Sequence, residues 1–177
     1  YNIGIRMIWS DSQRQGEEMI VLGIDPGLAI VGYGVIEHVG NRYTVLDYGV
    51  INTPAKTSYA IRIKMIYDAM QTLLSTYDID EVAIEELFFN KNTKTAIDVA
   101  QARGAIVLSC MNNDLKIFEY TPLQVKQGIC GYGRADKKQV QSMVKSLLNL
   151  KEIPKPDDAA DALAIALGHL STRRFSE

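Results

Sequence analysis

Three strand-like segments stand back to back near the start of this chain, before any helical pattern begins. Residues 20–24 are a β-branched run that stops at Asp25-Pro26-Gly27, and Pro with Gly marks a turn directly after a strand. Residues 31–39 read as a second strand closed by Gly40-Asn41, and residues 42–51 as a third, so the last two form a hairpin. Helical spacing starts only at 58–76, where Ile61, Met65, Ile66, Ala69, Met70, Leu73 and Leu74 recur along one face. Strands and helices then alternate: strand 81–86, helix 93–112 and strand 115–120. A helix opens at Thr121-Pro122, with Thr as N-cap and Pro at the first helical position. A Gly-rich loop is expected over 128–134, then helices over 136–150 and 157–170. Asp136 and Gln139 have capping-box spacing at the start of the first of these.

That order predicts an α/β fold, a five-stranded mixed sheet flanked by helices on both faces. A ribonuclease-H-like sheet satisfies it. A doubly wound dinucleotide-binding sheet would need the alternation to begin earlier, and its glycine fingerprint is missing. The 177 residues carry no repeat and no dividing linker, so residues 19–177 read as a single domain. Met19 opens the first strand, and residues 1–18 are expected to be a leader or an added N-terminal arm. Neither a secretory signal pattern nor an uninterrupted apolar run of membrane-spanning length is present, so no membrane role is expected. Cys110 and Cys130 lack CxxC spacing and suit free thiols in a reducing cytoplasm.

Carboxylates punctuate these elements at their ends. Asp25 closes the first strand and Glu85 the fourth, with Glu86 beside it. Asp157, Asp158 and Asp161 lie in the opening of the last helix, and Asp158 and Asp161, spaced i, i+3, share one helix face. A lone Asp at a helix start is usually a cap or a dipole partner, which explains Asp157 well. It explains Asp161 poorly, because Ala-Leu-Ala-Ile-Ala-Leu follows. Buried carboxylates are expensive unless paired or metal-bound. An oxygen-only donor set favours Mg²⁺ or Mn²⁺ over Zn²⁺. His38 and His169 have no ligand spacing with these acids and read as structural or surface residues. Carboxylate-held Mg²⁺ suits phosphodiester cleavage without a nucleophilic side chain. A generic α/β domain with acidic caps is the plainer alternative.

Charge is segregated along the chain. The whole carries 19 Lys and Arg against 21 Asp and Glu, too acidic overall for a generic nucleic-acid coat. Residues 20–90 hold 4 basic and 9 acidic side chains, whereas residues 116–155 hold 8 basic and 3 acidic. Lys91, Lys94, Lys126, Arg134, Lys137 and Lys138 make up the local positive excess. Beside an acidic site they would offset phosphate charge and make binding salt-dependent. The alternative is a solvated helix face.

Four stretches in order, Gly23-Ile24-Asp25-Pro26-Gly27, Val82-Ala83-Ile84-Glu85, Gln101-Ala102-Arg103-Gly104 and Asp158-Ala159-Ala160-Asp161-Ala162-Leu163-Ala164, resemble the RuvC family. These are bacterial crossover (Holliday) junction endodeoxyribonucleases with a ribonuclease-H-like fold. The resemblance runs from about Met19 to His169. It implies that Asp25, Glu85, Asp158 and Asp161 are the catalytic, metal-binding carboxylates, with Glu86 and Asp157 ranked second. It implies Mg²⁺ as cofactor, with Mn²⁺ able to substitute. Phe88 matches an aromatic that stacks on a base near the junction centre, and a loop aromatic has that option physically. Lys126 and Lys137 match phosphate-contacting positions, with Lys91, Arg134 and Lys138 as further DNA-binding candidates.

The resemblance further implies a homodimer that clasps a four-way DNA junction and nicks two strands symmetrically in recombination and repair. Helix 93–112 would supply the interface, where Ala100, Ala102, Gly104 and Ala105 are small enough for close contact, although that stripe could equally pack on the sheet. Junction-migration motor proteins are the partners implied, and a cytoplasmic location. Residues 1–18 have no counterpart in the family pattern. An actin-like ATPase shares the first acidic turn but needs two such lobes and more than twice this length. An RNA-processing protein of the same fold is the remaining alternative.

Overall fold

The structure, a computed structural model, describes residues 18–86 and 93–174. Three antiparallel strands come first: β1 (Glu18–Asp25), β2 (Ile30–Val39) and β3 (Arg42–Asn52). Then follow α1 (Tyr59–Thr76), β4 (Glu81–Glu85), α2 (Thr93–Met111), β5 (Lys116–Tyr120), α3 (Pro122–Cys130), α4 (Lys137–Leu147) and α5 (Asp157–Arg174). The sheet order is β3-β2-β1-β4-β5. β1 pairs antiparallel with β2 and parallel with β4, and β4 pairs parallel with β5. The expected mixed five-stranded sheet is therefore present, with its three parallel strands ending at one edge.

Strand alternation divides the core. Val21 and Ala83 face a cluster built with α3, α4 and α5, including Ile129, Val144, Leu163 and Leu167. Leu22, Ile24, Val82 and Ile84 face the other way, onto Ile66 and Met70 of α1 and Ala102, Ile106 and Cys110 of α2. Helices thus cover both faces. Of the apolar face expected on α1, Ile66 and Met70 are buried, but Ile61 is 53% exposed and points to solvent.

Several boundaries differ from the sequence reading, among them the end of α5, which runs to Arg174 and not to Leu170. β1 begins at Glu18, which pairs with Val39. α3 continues through Gly128 to Cys130, and Gly131 caps it in the left-handed conformation with φ 78°. Gly128 was expected in a loop, but it serves close packing: a Cβ there would stand 3.0 Å from the Gly168 carbonyl oxygen of α5. α4 stops at Leu147, short of the expected Leu150, and Asn149 turns the chain with φ 49°. The expected capping box of Asp136 with Gln139 forms, and Thr121 caps α3 as expected, with Gln124 completing a second box that the sequence reading did not include. Among the described residues no helix is long and apolar enough to cross a membrane. Cys110 and Cys130 are both free.

Candidate active site

Register brings the first two carboxylates together. Ile24 pairs with Ile84 across the parallel β1–β4 ladder, so Asp25 and Glu85 follow as neighbours at two adjacent strand ends. Side chains alternate along a strand, so Asp25 lies on the face of Val21 and Gly23, and Glu85 on that of Glu81 and Ala83. This is the face covered by α5.

The helix then comes unusually close. Gly32 is the register partner of Asp25 on β2. A Cβ at Gly32 would fall 2.0 Å from the Asp158 carbonyl oxygen, and one at Gly23 2.1 Å from that of Ala162. Real Cβ atoms do not survive such distances, so only glycine lets the first turns of α5 rest on the sheet there. That contact delivers Asp158 and Asp161 to the carboxylates of β1 and β4. The alternating glycines at 23, 32 and 34 were the sequence signal for it, and sequence reasoning missed their role.

The electrostatics register the crowding. Burial pushes Asp25 up to about 7, and the nearby charges of Glu85, Asp161 and Asp158 push the same way, opposed by Lys137. Glu85 is raised by burial and then by Asp161. Asp161 is raised by burial, although its hydrogen bond from Lys137 pulls it down. The Lys137 ammonium stands 3.1 Å from Asp161 and 3.0 Å from Asp157. Burial works to lower Lys137, but the hydrogen bonds to Asp157 and Asp161 hold it above its ordinary value. Asp157 is lowered by its bond from Lys137, with Gln141 Nε2 also donating to it at 3.2 Å. Asp157 is thus an anchor for Lys137 at the rim.

Glu85, Asp161, Lys126 and Lys137 line one cleft of about 230 Å³. Lys138 faces a separate recess of about 390 Å³ with Tyr132 and Met143. Arg134 is exposed between α3 and α4, and Glu86 is exposed with its backbone N–H donating to the Tyr120 carbonyl. Phe88 and Lys91 lie outside the described residues, as does the side chain of Lys94. His169 is fully buried behind the site. Its Nε2 lies 2.8 Å from Glu81 and its Nδ1 2.6 Å from the Tyr120 hydroxyl. A neutral ring that donates to Glu81 and accepts from Tyr120 satisfies both nitrogens. Burial holds its pKa down, against the pull of Glu81. His38 stacks on Tyr43 at 4.9 Å, away from the acids. His169 is thus a core residue with both ring nitrogens partnered.

The donor set tests well against a hard divalent cation. It is made of carboxylate oxygens alone, and their mutual repulsion is what such an ion relieves. Among the described residues, however, no three His, Cys, Asp or Glu side chains are placed so that they could hold a metal ion as they stand. Asp161 instead faces the Lys137 ammonium.

A ribonuclease-H-like sheet with carboxylates at the ends of its central parallel strands defines the class: an α/β nuclease domain. The family model described as crossover junction endodeoxyribonuclease RuvC matches residues 21–169, and the chain belongs to that family. It is 60% identical over 159 residues to the crossover junction endodeoxyribonuclease RuvC of Alkaliphilus oremlandii (strain OhILAs), covering 90% of this chain and 97% of that protein. The corresponding protein of Clostridioides difficile (strain 630) is 56% identical over 159 residues, covering 90% of this chain and 94% of its own length. Among solved structures, T. thermophilus RuvC in complex with a Holliday junction substrate matches with a TM-score of 0.86 at 36% identity, covering 89% of this chain and 96% of that one. Membership implies a divalent-metal requirement.

Proposed function

We propose that this chain resolves four-way DNA junctions in recombination and repair, nicking two strands symmetrically as a homodimer. Mg²⁺ is the metal, and Mn²⁺ can substitute. The carrying observation is the convergence of Asp25, Glu85, Asp158 and Asp161 at one sheet edge, with Lys126 and Lys137 in the same cleft as Glu85 and Asp161. Those four carboxylates would hold the metal, which supplies a Lewis acid and an activated water for phosphodiester hydrolysis.

The chain's own groups do the rest. Near neutral pH the Asp25 carboxyl is only partly ionised, and ligation requires its proton to leave. Lys126 offers its ammonium to the incoming phosphate. Lys137 neutralises Asp157 and Asp161 and can turn the same ammonium to a phosphate. Phe88, three residues after Glu85, is the candidate base-stacking side chain.

An exposed stripe supports the dimer. Ile97, Leu108 and Met111 of α2 are each more than half exposed, at 53%, 55% and 55%, and a Cβ at Gly104 on the same stripe would meet open space. Ala102, one of the small residues expected at the contact, instead packs inward on the sheet. The free thiols suit work in the cytoplasm, and junction-migration motor proteins are the partners this substrate brings.

The test is incubation of a synthetic four-way junction with Mg²⁺ and with EDTA, beside linear duplex of the same sequence and a structured RNA competitor. Paired nicks in the junction with Mg²⁺ alone are expected. Equal cutting of duplex, or stronger competition by RNA than by unlabelled junction, would overturn the reading.

A further inference from the structure

One residue outside the acidic cluster holds the turn that follows Asp25. Residues 26–29 leave the sheet between β1 and β2 and contain Pro26 and Gly27. Thr53, directly after β3, is only 4% exposed. Its backbone N–H donates to the Ala29 carbonyl at 2.9 Å. Its hydroxyl donates to the Leu28 carbonyl at 2.5 Å and accepts from Arg62 Nε at 2.9 Å. Arg62 Nη2 donates to the Thr53 carbonyl at 3.3 Å. Two successive carbonyls of the turn are therefore gripped by one threonine, and α1 clamps that threonine from behind.

We propose that Thr53 and Arg62 are positioning residues for cleavage: they fix the 26–29 turn and so hold the Asp25 carboxylate among three others that repel it. Arg62 does not act through its charge. The charges that bear on Asp25 are those of Glu85, Asp161, Asp158 and Lys137. The influence of Arg62 travels through hydrogen bonds to Thr53 and from Thr53 to the turn. A strand end that must keep a like-charged group in place needs such a brace, because Pro26-Gly27 alone leaves the following backbone without one.

The proposal rests on the endonuclease reading for its cleavage arm, and the metal arm stands without it. Thr53→Val keeps the shape and removes the hydroxyl, Thr53→Ser restores the hydroxyl, and Arg62→Met keeps the aliphatic stem. Each is compared with the unmodified protein in junction nicking with Mg²⁺, junction binding in EDTA, Mn²⁺ binding followed by electron paramagnetic resonance of the free ion, and thermal unfolding. Thr53→Val and Arg62→Met are expected to nick about tenfold to a hundredfold more slowly, since misplacement of roughly 1 Å has that effect. They should bind Mn²⁺ about tenfold more weakly while junction binding in EDTA stays within about twofold, because the turn shapes the metal site and not the DNA surface. Thr53→Ser should recover most of both losses. A folded Thr53→Val with unchanged Mn²⁺ affinity would overturn the proposal, as would a Thr53→Ser variant equally impaired. If the unmodified protein nicks no junction, the endonuclease reading fails and Mn²⁺ binding still decides the brace. If Thr53→Val does not fold, Arg62→Met decides it by the same readouts.

Discussion

Asp25 is held where its negative charge is poorly solvated and repelled by its neighbours. Its carboxyl sits at about 7 against an ordinary 3.8, through burial first and then three like charges. Between these two values the folded, metal-free protein keeps a proton that the unfolded chain has released, so stability falls as pH rises through that window. Asp25→Asn removes this penalty. In EDTA at pH 8 the variant should be more stable than the parent by about 1–3 kcal/mol, with the difference vanishing near pH 4. Saturating Mg²⁺ should reverse the order, because a ligand that binds only the folded parent stabilises it alone. Urea unfolding at both pH values, with and without Mg²⁺, checks this, and a difference independent of pH would refute it. The same variant should keep junction binding and lose cutting, measured on the labelled junction. Loss of binding by a folded Asp25→Asn protein would count against a ligand role.

The last helix shows what could and could not be read from the sequence. Strand ends and i, i+3 spacing are local properties, so acids at those places could be picked out, although the choice of these four came from the family resemblance. The order of elements that produces the sheet was legible too. Tertiary approach is not local. Gly23 and Gly32 look like ordinary strand glycines until α5 lies across them. Gly128 was misplaced for the same reason, since a glycine that admits a neighbouring helix carries the same letter as one that breaks a loop. The salt bridges of Lys137 to Asp157 and Asp161 likewise join α4 to α5 across a gap in sequence. Gly32→Ala should therefore act on the site, not only on the core. Forcing apart two packed elements costs about 1–3 kcal/mol, and the shift would move Asp158 and Asp161 off Asp25. Weaker Mn²⁺ binding together with a lowered unfolding midpoint is expected, and unchanged Mn²⁺ affinity would argue against the close-packing role. On α3, Lys126→Ala should weaken junction binding and flatten its dependence on log salt by about one unit of slope. Binding titrations between low and moderate salt measure that slope, and an unchanged value would return Lys126 to the solvated face of its helix.

At the scale of the molecule, two surfaces have to be reconciled with one substrate. The acidic edge and its lysines form one. The other is α2, whose inner side, Ala102, Ile106 and Cys110, is fully buried on the sheet while Ile97, Leu108 and Met111 stay more than half exposed along its outer side. That apolar stripe is the surface through which the proposed dimer would join. A twofold pair joined there would present two copies of the cleft, which is what a substrate of twofold symmetry requires for paired nicks. Leu108→Glu puts a charge at the centre of the stripe without touching the carboxylates. The dimer dissociation constant should rise about a hundredfold or more, as for other central interface residues. Sedimentation velocity at micromolar concentration would show monomer where the parent is dimeric. The catalytic groups remain in place, so nicking should persist but lose its pairing: single nicks should accumulate in nicked junctions that are not cut on the second strand. A Leu108→Glu protein that sediments as a dimer would move the interface away from α2. A monomer that still cuts both strands in concert would separate strand coupling from dimer formation.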